Sequence, residues 1–451
     1  MSVMNSRSRT EIQELLDTVY RHSAAEETEA VYFGGTNSLS RFANSEIRQN
    51  ISQGSESISI RVINEGRTGV VRTGKLDEDS IKQAVDQALK SARVQKADPE
   101  LLPLQPQIDI EEQNRIDEAT ALLTPEAKAD TIRKTIAALP GANLEAAGIF
   151  SNSDSQFAIG NSAGMFHHHA STDAEFSITV SNGDTSGWAE SVSRCVSDLD
   201  TESLTAEAID ICQRAEKPEP IEAGEYTVVL PPAAATDFML FLSFLGLGAQ
   251  DYQEGTSPLT GKLGERIFGE NITIIDDPFH AYMSSAPFDG EGLPKQTLPF
   301  IENGVLQRMA HDRKTATKAG IESSGHGFPA PNPSGGYPSN LCMQPGDSTL
   351  EEMIASTENG LMVTHFHYTN VVNPRDLSLT GMTRDGVFLI KDGKLTRPVH
   401  NLRFTDSVLR ILNNVEMVGR DTIYASAFFG GGFVVPALKV NGFRFSSTTN
   451  F

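Results

Sequence analysis

Residues 360–407, GLMVTHFHYTNVVNPRDLSLTGMTRDGVFLIKDGKLTRPVHNLRFTDS, decide the fold class. LMVTHFHYTN (361–370) is rich in β-branched and aromatic residues and reads as a strand. Farther on, VFLI and KLTR flank Lys391-Asp392-Gly393, a hairpin signal, since Asp-Gly tolerates the left-handed backbone that a tight turn requires. Glu302-Asn303-Gly304, between LPFI and VLQRM, is a second such signal. A helix is expected at about Thr405 to Asn414, followed by a Gly-rich strand region, FFGGGFVVPALKV (428–440). Upstream, Tyr226–Leu230 reads as a strand, and AAATDFMLFLSFLGLGA (233–249) as an apolar helix. That helix contains Asp237 and has no second span beside it, so a buried helix explains it better than a membrane span.

The other half mixes both element types. Thr10 is expected to cap a helix carrying Ile12, Leu15, Leu16 and Val19. SISIRV (57–62) alternates as a half-buried strand does, and LDEDSIKQAVDQALKSARV (76–94) is an amphipathic helix with acids in its first turn. Thr124-Pro125-Glu126 opens a helix reaching about Leu139, with Pro125 at the first helical position. From Ala142 to Ser193 short strands are expected, broken at NSDS, GNSAG and SNGD, and Thr201 to Glu216 is helical again. KPEPIEAG (217–224) is the expected linker between an N-terminal α+β domain, 1–216, and a strand-rich domain, 225–451. Strands and helices are mixed without strict alternation, so the class is α+β, not a doubly wound sheet.

The chain has 451 residues, enough for two or three domains at roughly 150 residues each. Its formal net charge of −22 repels phosphate backbones and argues against direct nucleic-acid binding. Its three cysteines, Cys195, Cys212 and Cys342, are too scattered for a disulfide framework or a CxxC zinc site. MSVMNSRSRTEIQELL lacks the apolar core of a signal peptide. A cytoplasmic, non-membrane protein is expected.

No arrangement is a strong catalytic motif by itself. His167-His168-His169 is read as a surface strand or loop, because strand neighbours point to opposite faces and cannot share one ion. His365 and His367 are two apart on a strand, share a face, and would need a third ligand such as His311 or His326 to hold a metal. Asp289 and Glu291 offer two carboxylates in a loop, for a cation or a substrate amine, or else simply solvated. The glycines Gly430–Gly432 lack the Lys and Ser/Thr of a phosphate loop and fit a strand kink or a close backbone approach.

Several ordered segments together resemble the TldD/PmbA family, also called modulator-of-gyrase or TldD/TldE proteins. They are GTSPLTGKLGERIF (255–268), FDGEGLPKQTLPFIENGVLQRMAHDRKTA (288–316) and the opening stretch 360–407, joined by RFANSEIRQN (41–50), RVINEGRTGV (61–70) and NSAG (161–164). The resemblance covers nearly the whole chain. It implies a two-domain α+β subunit with a barrel-like C-terminal domain that dimerises around an internal cavity. TldD-type members are zinc metallopeptidases with HExxxH on the helix before the GTS segment and a later cysteine ligand. Two residues five apart on a regular helix are splayed by roughly 140°, so a bulge or kink must bring such histidines together.

This sequence departs from that pattern. Leu240 and Leu245 stand at the expected histidine places, Phe241 at that of the glutamate, and Met362 to Thr364 at that of the cysteine. No catalytic residue and no metal ligand is therefore assigned at the family site. The pattern is similar to the TldE/PmbA branch, which implies a non-catalytic subunit that binds no cofactor itself and pairs with a zinc-bearing TldD-type chain, or with itself as a homodimer, around a peptide substrate. Asp289, Glu291, Thr364, His365, His367 and Asn370 are the expected cavity and substrate residues. Two alternatives stand beside this: an independent metal-dependent peptidase using His311, His365 and His367, and a peptide- or protein-binding module without catalysis.

Overall fold

The computed structural model describes residues 7–141, 143–427 and 431–449. Two sheets organise the chain. The first is six-stranded and built from β1 (Glu27–Ala43), β2 (Glu46–Asn64), β3 (Arg67–Thr73), β4 (Glu145–Asn161), β5 (Phe166–Ser181) and β6 (Ser186–Ser193), in the order β3-β2-β1-β4-β5-β6. Helices α1 (Arg9–His22), α2 (Glu78–Val94), α3 (Glu118–Ala121), α4 (Pro125–Ala137) and α5 (Thr201–Arg214) accompany it. Helix α1 places Ile12, Leu15, Leu16 and Val19 against Tyr32, Ile58 and Val85. Its cap is Ser8, not Thr10: Ser8 and Glu11 form a reciprocal capping box. Thr124 caps α4 and Pro125 occupies its first turn, as the sequence predicts.

The region 142–193 departs from expectation. It holds long strands, and NSDS lies in the middle of β4 instead of in a turn. The reason is a buried polar cluster. The Lys128 amine donates to the Ser38 carbonyl and hydroxyl and to Asn152 Oδ1 at 2.6–2.9 Å, while Asn152 Nδ2 donates to the Thr120 carbonyl. Asp154 Oδ1 in turn accepts from the Thr36 backbone N–H at 2.5 Å. With these partners, residues that ordinarily favour turns are held in a ladder.

The second sheet has eleven strands: β7 (Gly224–Leu230), β8 (Ile274–Asp276), β9 (Leu298–Glu302), β10 (Val305–Leu306), β11 (Leu341–Met343), β12 (Asn359–Asn373), β13 (Ser378–Lys391), β14 (Lys394–Pro398), β15 (Leu402–Ser407), β16 (Val415–Ser426) and β17 (Gly432–Thr448). Strand β7 pairs with both β12 and β17, and the path β12-β13-β15-β17 completes a ring of hydrogen bonds. This is the barrel-like region. Residues 405–407, expected to begin a helix, instead complete strand Leu402–Ser407 of the ring, in which Phe404 and Asp406 alternate inward; the helix there is only Val408–Asn413. Gly430 lies outside the described residues. A Cβ at Gly432 would meet the Tyr424 ring at about 2.5 Å, so that position is a close approach.

The apolar segment 233–249 is a buried helix, as expected, but not a regular one. Helix α6 (Pro232–Phe241) packs against the ring and passes into a π-helical turn, Leu242–Gly246. Phe238 is fully buried, with ring centroids 5.7 Å from Phe366 and 6.3 Å from Phe404 and Phe443. Replacing so large a contact with a methyl group leaves a cavity. Phe238→Ala is expected to cost about 3–5 kcal/mol of unfolding free energy in urea titration, and a loss below about 1 kcal/mol would show that α6 is not the core of this domain.

Candidate functional site

At the end of α6 the Leu247 N–H reaches the Leu242 carbonyl at 3.1 Å, one residue beyond the α-helical partner. Such a turn is the local bulge that residues five apart need to share a side. Leu240 and Leu245 are both half-buried and both pack on the central apolar cluster. Phe241 is buried beside them. Aliphatic and phenyl side chains carry no donor atom for a metal. The family zinc therefore does not fit this helix.

Of the other expected site residues, His365 and His367 line one cavity and Asp289 a second, while Glu291, His311, Thr364 and Asn370 line neither. Both histidines of β12 line the first, of about 490 Å³, as their spacing predicts. It is walled by β5 and β6 of the first sheet, by α6, and by β12 and β16, with Glu175, Trp188, Glu190 and Asp237 among its lining residues. His365 stacks beside Trp188, centroids 4.4 Å apart, and its Nε2 lies 3.4 Å from Asp385 Oδ2. The ring's Nδ1 is buried and has no hydrogen-bond partner among the described residues. The Ser186 hydroxyl donates to the other Asp385 oxygen and thereby ties β6 to β13. Burial holds the His365 imidazole neutral, pushing its pKa down to about 4 against the pull of Asp385. Burial, reinforced by Glu175, pushes Glu190 up to about 7. Thr364 sits next to this cavity, but its buried hydroxyl faces the carbonyls of Arg384, Asp385 and Gly386. Asn370 pairs with Thr380 in the β12–β13 ladder and does not line the cavity.

Asp289 lines the second cavity, of about 280 Å³, with Phe157, His169, Lys295, His326 and Phe328. It is not a solvated acid. It is only 2% exposed and accepts the backbone N–H groups of Glu291, Leu293 and Gly327 at 2.8–2.9 Å. Glu291 points elsewhere, accepting the Arg313 N–H at the start of helix Arg313–Ala319, and burial with Asp289 nearby lifts its pKa to about 7. These carboxylates fix loops. The histidine triplet also proves less superficial than its sequence suggests. His167 and His169 are buried on one face of β5, the first against Phe288 and the second 2.9 Å from the Ser284 carbonyl.

His311 is bound into the 323–324 loop and is not brought to His365 and His367. Among the described residues no group of three or more His, Cys, Asp or Glu is arranged to hold a metal ion. Sequence reasoning missed Glu175, Trp188, Glu190, Asp237 and Asp385. The spacing of two between Trp188 and Glu190 on β6 was the available signal, since it puts both side chains on one face.

A two-sheet α+β chain with a ring-forming second sheet, an irregular apolar helix and a cavity where its sheets meet defines a recognisable class. Sequence models of the PmbA/TldA metallopeptidases match at three places: domain 1 at residues 29–92, the central domain at 119–216 and the C-terminal domain at 223–447. The chain belongs to the PmbA/TldD family. A protein named metalloprotease from Methanothermobacter thermautotrophicus is 31% identical over 235 residues, so the match spans 51% of each chain. Metalloprotease PmbA of Escherichia coli O157:H7 is 26% identical over 404 residues, 85% of each. The crystal structure of TldE from Thermococcus kodakarensis superposes with a TM-score of 0.84 at 21% identity, covering 96% of this chain and 99% of that one. No helix among the described residues is long and apolar enough to cross a membrane.

The raised Glu190 carboxyl has a measurable consequence. The unfolded chain gives up this proton near its ordinary 4.5, the folded chain only near 7, so Glu190 removes stability as pH climbs through that window. Glu190→Gln should therefore raise the thermal midpoint at about pH 8.5, by on the order of 1–3 kcal/mol in stability, and leave it unchanged near pH 4.5. An equal effect at both pH values would rule out the ionisation as its source.

Proposed function

We propose that this chain is a non-catalytic, TldE-like subunit of the cytoplasm that pairs with a zinc-bearing TldD-type chain and helps hold peptides for that chain to cut. The observation that carries this reading is the helix itself. Its backbone has the irregular turn that a metal helix of this family would need, and Leu240, Phe241 and Leu245 stand where the family resemblance would put the ligands and base. Retaining the shape without the donors suits a scaffold inherited for packing and for enclosing a chamber. On this reading these positions supply no zinc-bound water, and hydrolysis falls to the partner. The cavity between the first sheet and β12 supplies polar and aromatic surface for a peptide.

Co-purification of the untagged chain with a TldD-type chain from the same host tests this. Expected are a stable pair holding about one zinc, peptide hydrolysis by the pair alone, and loss of that hydrolysis with a chelator. Chelator-sensitive hydrolysis by the isolated chain, or a homodimer that never exchanges with the metal-bearing chain, would overturn the proposal.

A further inference from the structure

The His365 cavity has an unusual charge balance. Its described lining includes three carboxylates, Glu175, Glu190 and Asp237, and no lysine or arginine. Glu175 and Glu190 lie on the paired strands β5 and β6, near enough to raise the pKa of Glu190, and among the described residues no cation counters either. Ser426 donates a hydrogen bond to Glu190 but brings no charge. The two imidazoles nearby are pushed by burial toward the neutral form, and Arg384, on β13, is itself held within 3.8 Å of Asp385. Trp188 and Phe366 add aromatic surface beside Ala233, Ser426, Ala427 and Gly431. Carboxylates facing one another in a recess against an indole ring form an environment that a protonated amine relieves, by Coulomb attraction, by donating to both carboxylates and by packing against the ring.

We propose that this cavity receives a protonated amine of a peptide, either its N-terminus or a lysine side chain, between Glu175 and Glu190 and beside Trp188. The inference rests on the peptide-holding reading above and specifies which end or side chain of the peptide this subunit grips. It involves no chemical step. It also explains why a fold would tolerate a pair of carboxylates that lowers its own stability at neutral pH: the pair is kept for what it binds.

Trp188 is the single tryptophan of the chain, so its emission reports on this cavity without labelling. The full chain is titrated at about pH 7.5, where Glu190 is largely ionised, with Lys-Ala-Ala amide; calorimetry on the same samples catches binding that leaves the emission unchanged. Saturable binding is expected, lost when both amines of the peptide are acetylated and weakened about tenfold in Glu175→Gln and Glu190→Gln. Peptides acetylated on one amine only show which of the two is held. Because Glu190→Gln is expected to fold more stably at this pH, weaker binding by it is not a folding defect. Equal binding of the doubly acetylated peptide, unchanged affinity in both variants, or no binding by either method would overturn the inference. Pairing with a TldD-type chain is scored separately by co-migration on a sizing column. Intact pairing without amine binding defeats this inference alone, and amine binding without pairing defeats the subunit reading.

Discussion

The packing of Phe238 against Phe366, Phe404 and Phe443 is the constraint on which the rest of the second domain depends. Those three rings come from β12, β15 and β17, three members of the closed hydrogen-bonded path. One helical side chain thus fixes α6 against most of the ring. With Phe238 anchored, Asp237 beside it is brought to the cavity wall, and the chain must leave the helix through the π turn that aims Leu245 back to the core. A helix apolar all round suits such a place and would be misplaced on a surface.

The two sheets are joined by specific contacts as well as by apolar area. Phe33, Phe157 and Phe288 form a row of stacked rings, 5.3 and 5.4 Å apart, that starts on β1 and β4 and ends in the loop before β9. On the same face of the first sheet but at its β6 edge, Ser186 bonds Asp385, whose other oxygen lies 3.4 Å from His365 Nε2. Asp385 adopts a left-handed backbone with φ of 53°, and Gly386 follows at 122°; at this irregular point of β13 three carbonyls converge on the Thr364 hydroxyl. The cavities are therefore properties of the junction and belong to neither sheet alone.

What the sequence disclosed follows from locality. Hairpins at Asp392-Gly393 and Asn303-Gly304 were legible because two residues set the turn, and Asn303 and Asp392 do adopt positive φ. The face shared by His365 and His367 was legible because strand periodicity is strict. The NSDS segment misled because its turn propensity is overruled by Lys128, which comes from a helix more than twenty residues earlier and whose role no local pattern announces. Likewise, Asp289 and Glu291 looked alike as loop acids, yet one gathers backbone donors, Gly327 among them, and the other receives the Arg313 N–H at a helix start, contacts to partners distant in sequence that no local pattern announces. The cavity carboxylates Glu175 and Glu190 escaped notice because two strands must pair before they meet.

The buried amine of Lys128 carries an implication of its own. It is 0% exposed, hydrogen-bonded three ways beneath β1 and β4, and burial lowers its pKa to about 8. Once uncovered, this amine is as reactive as any other lysine; until then acylating reagents have no path to it. The speed with which it becomes modified is consequently a clock for the opening of α4 from the first sheet, and it reads the breathing of that layer separately from the ring-forming domain.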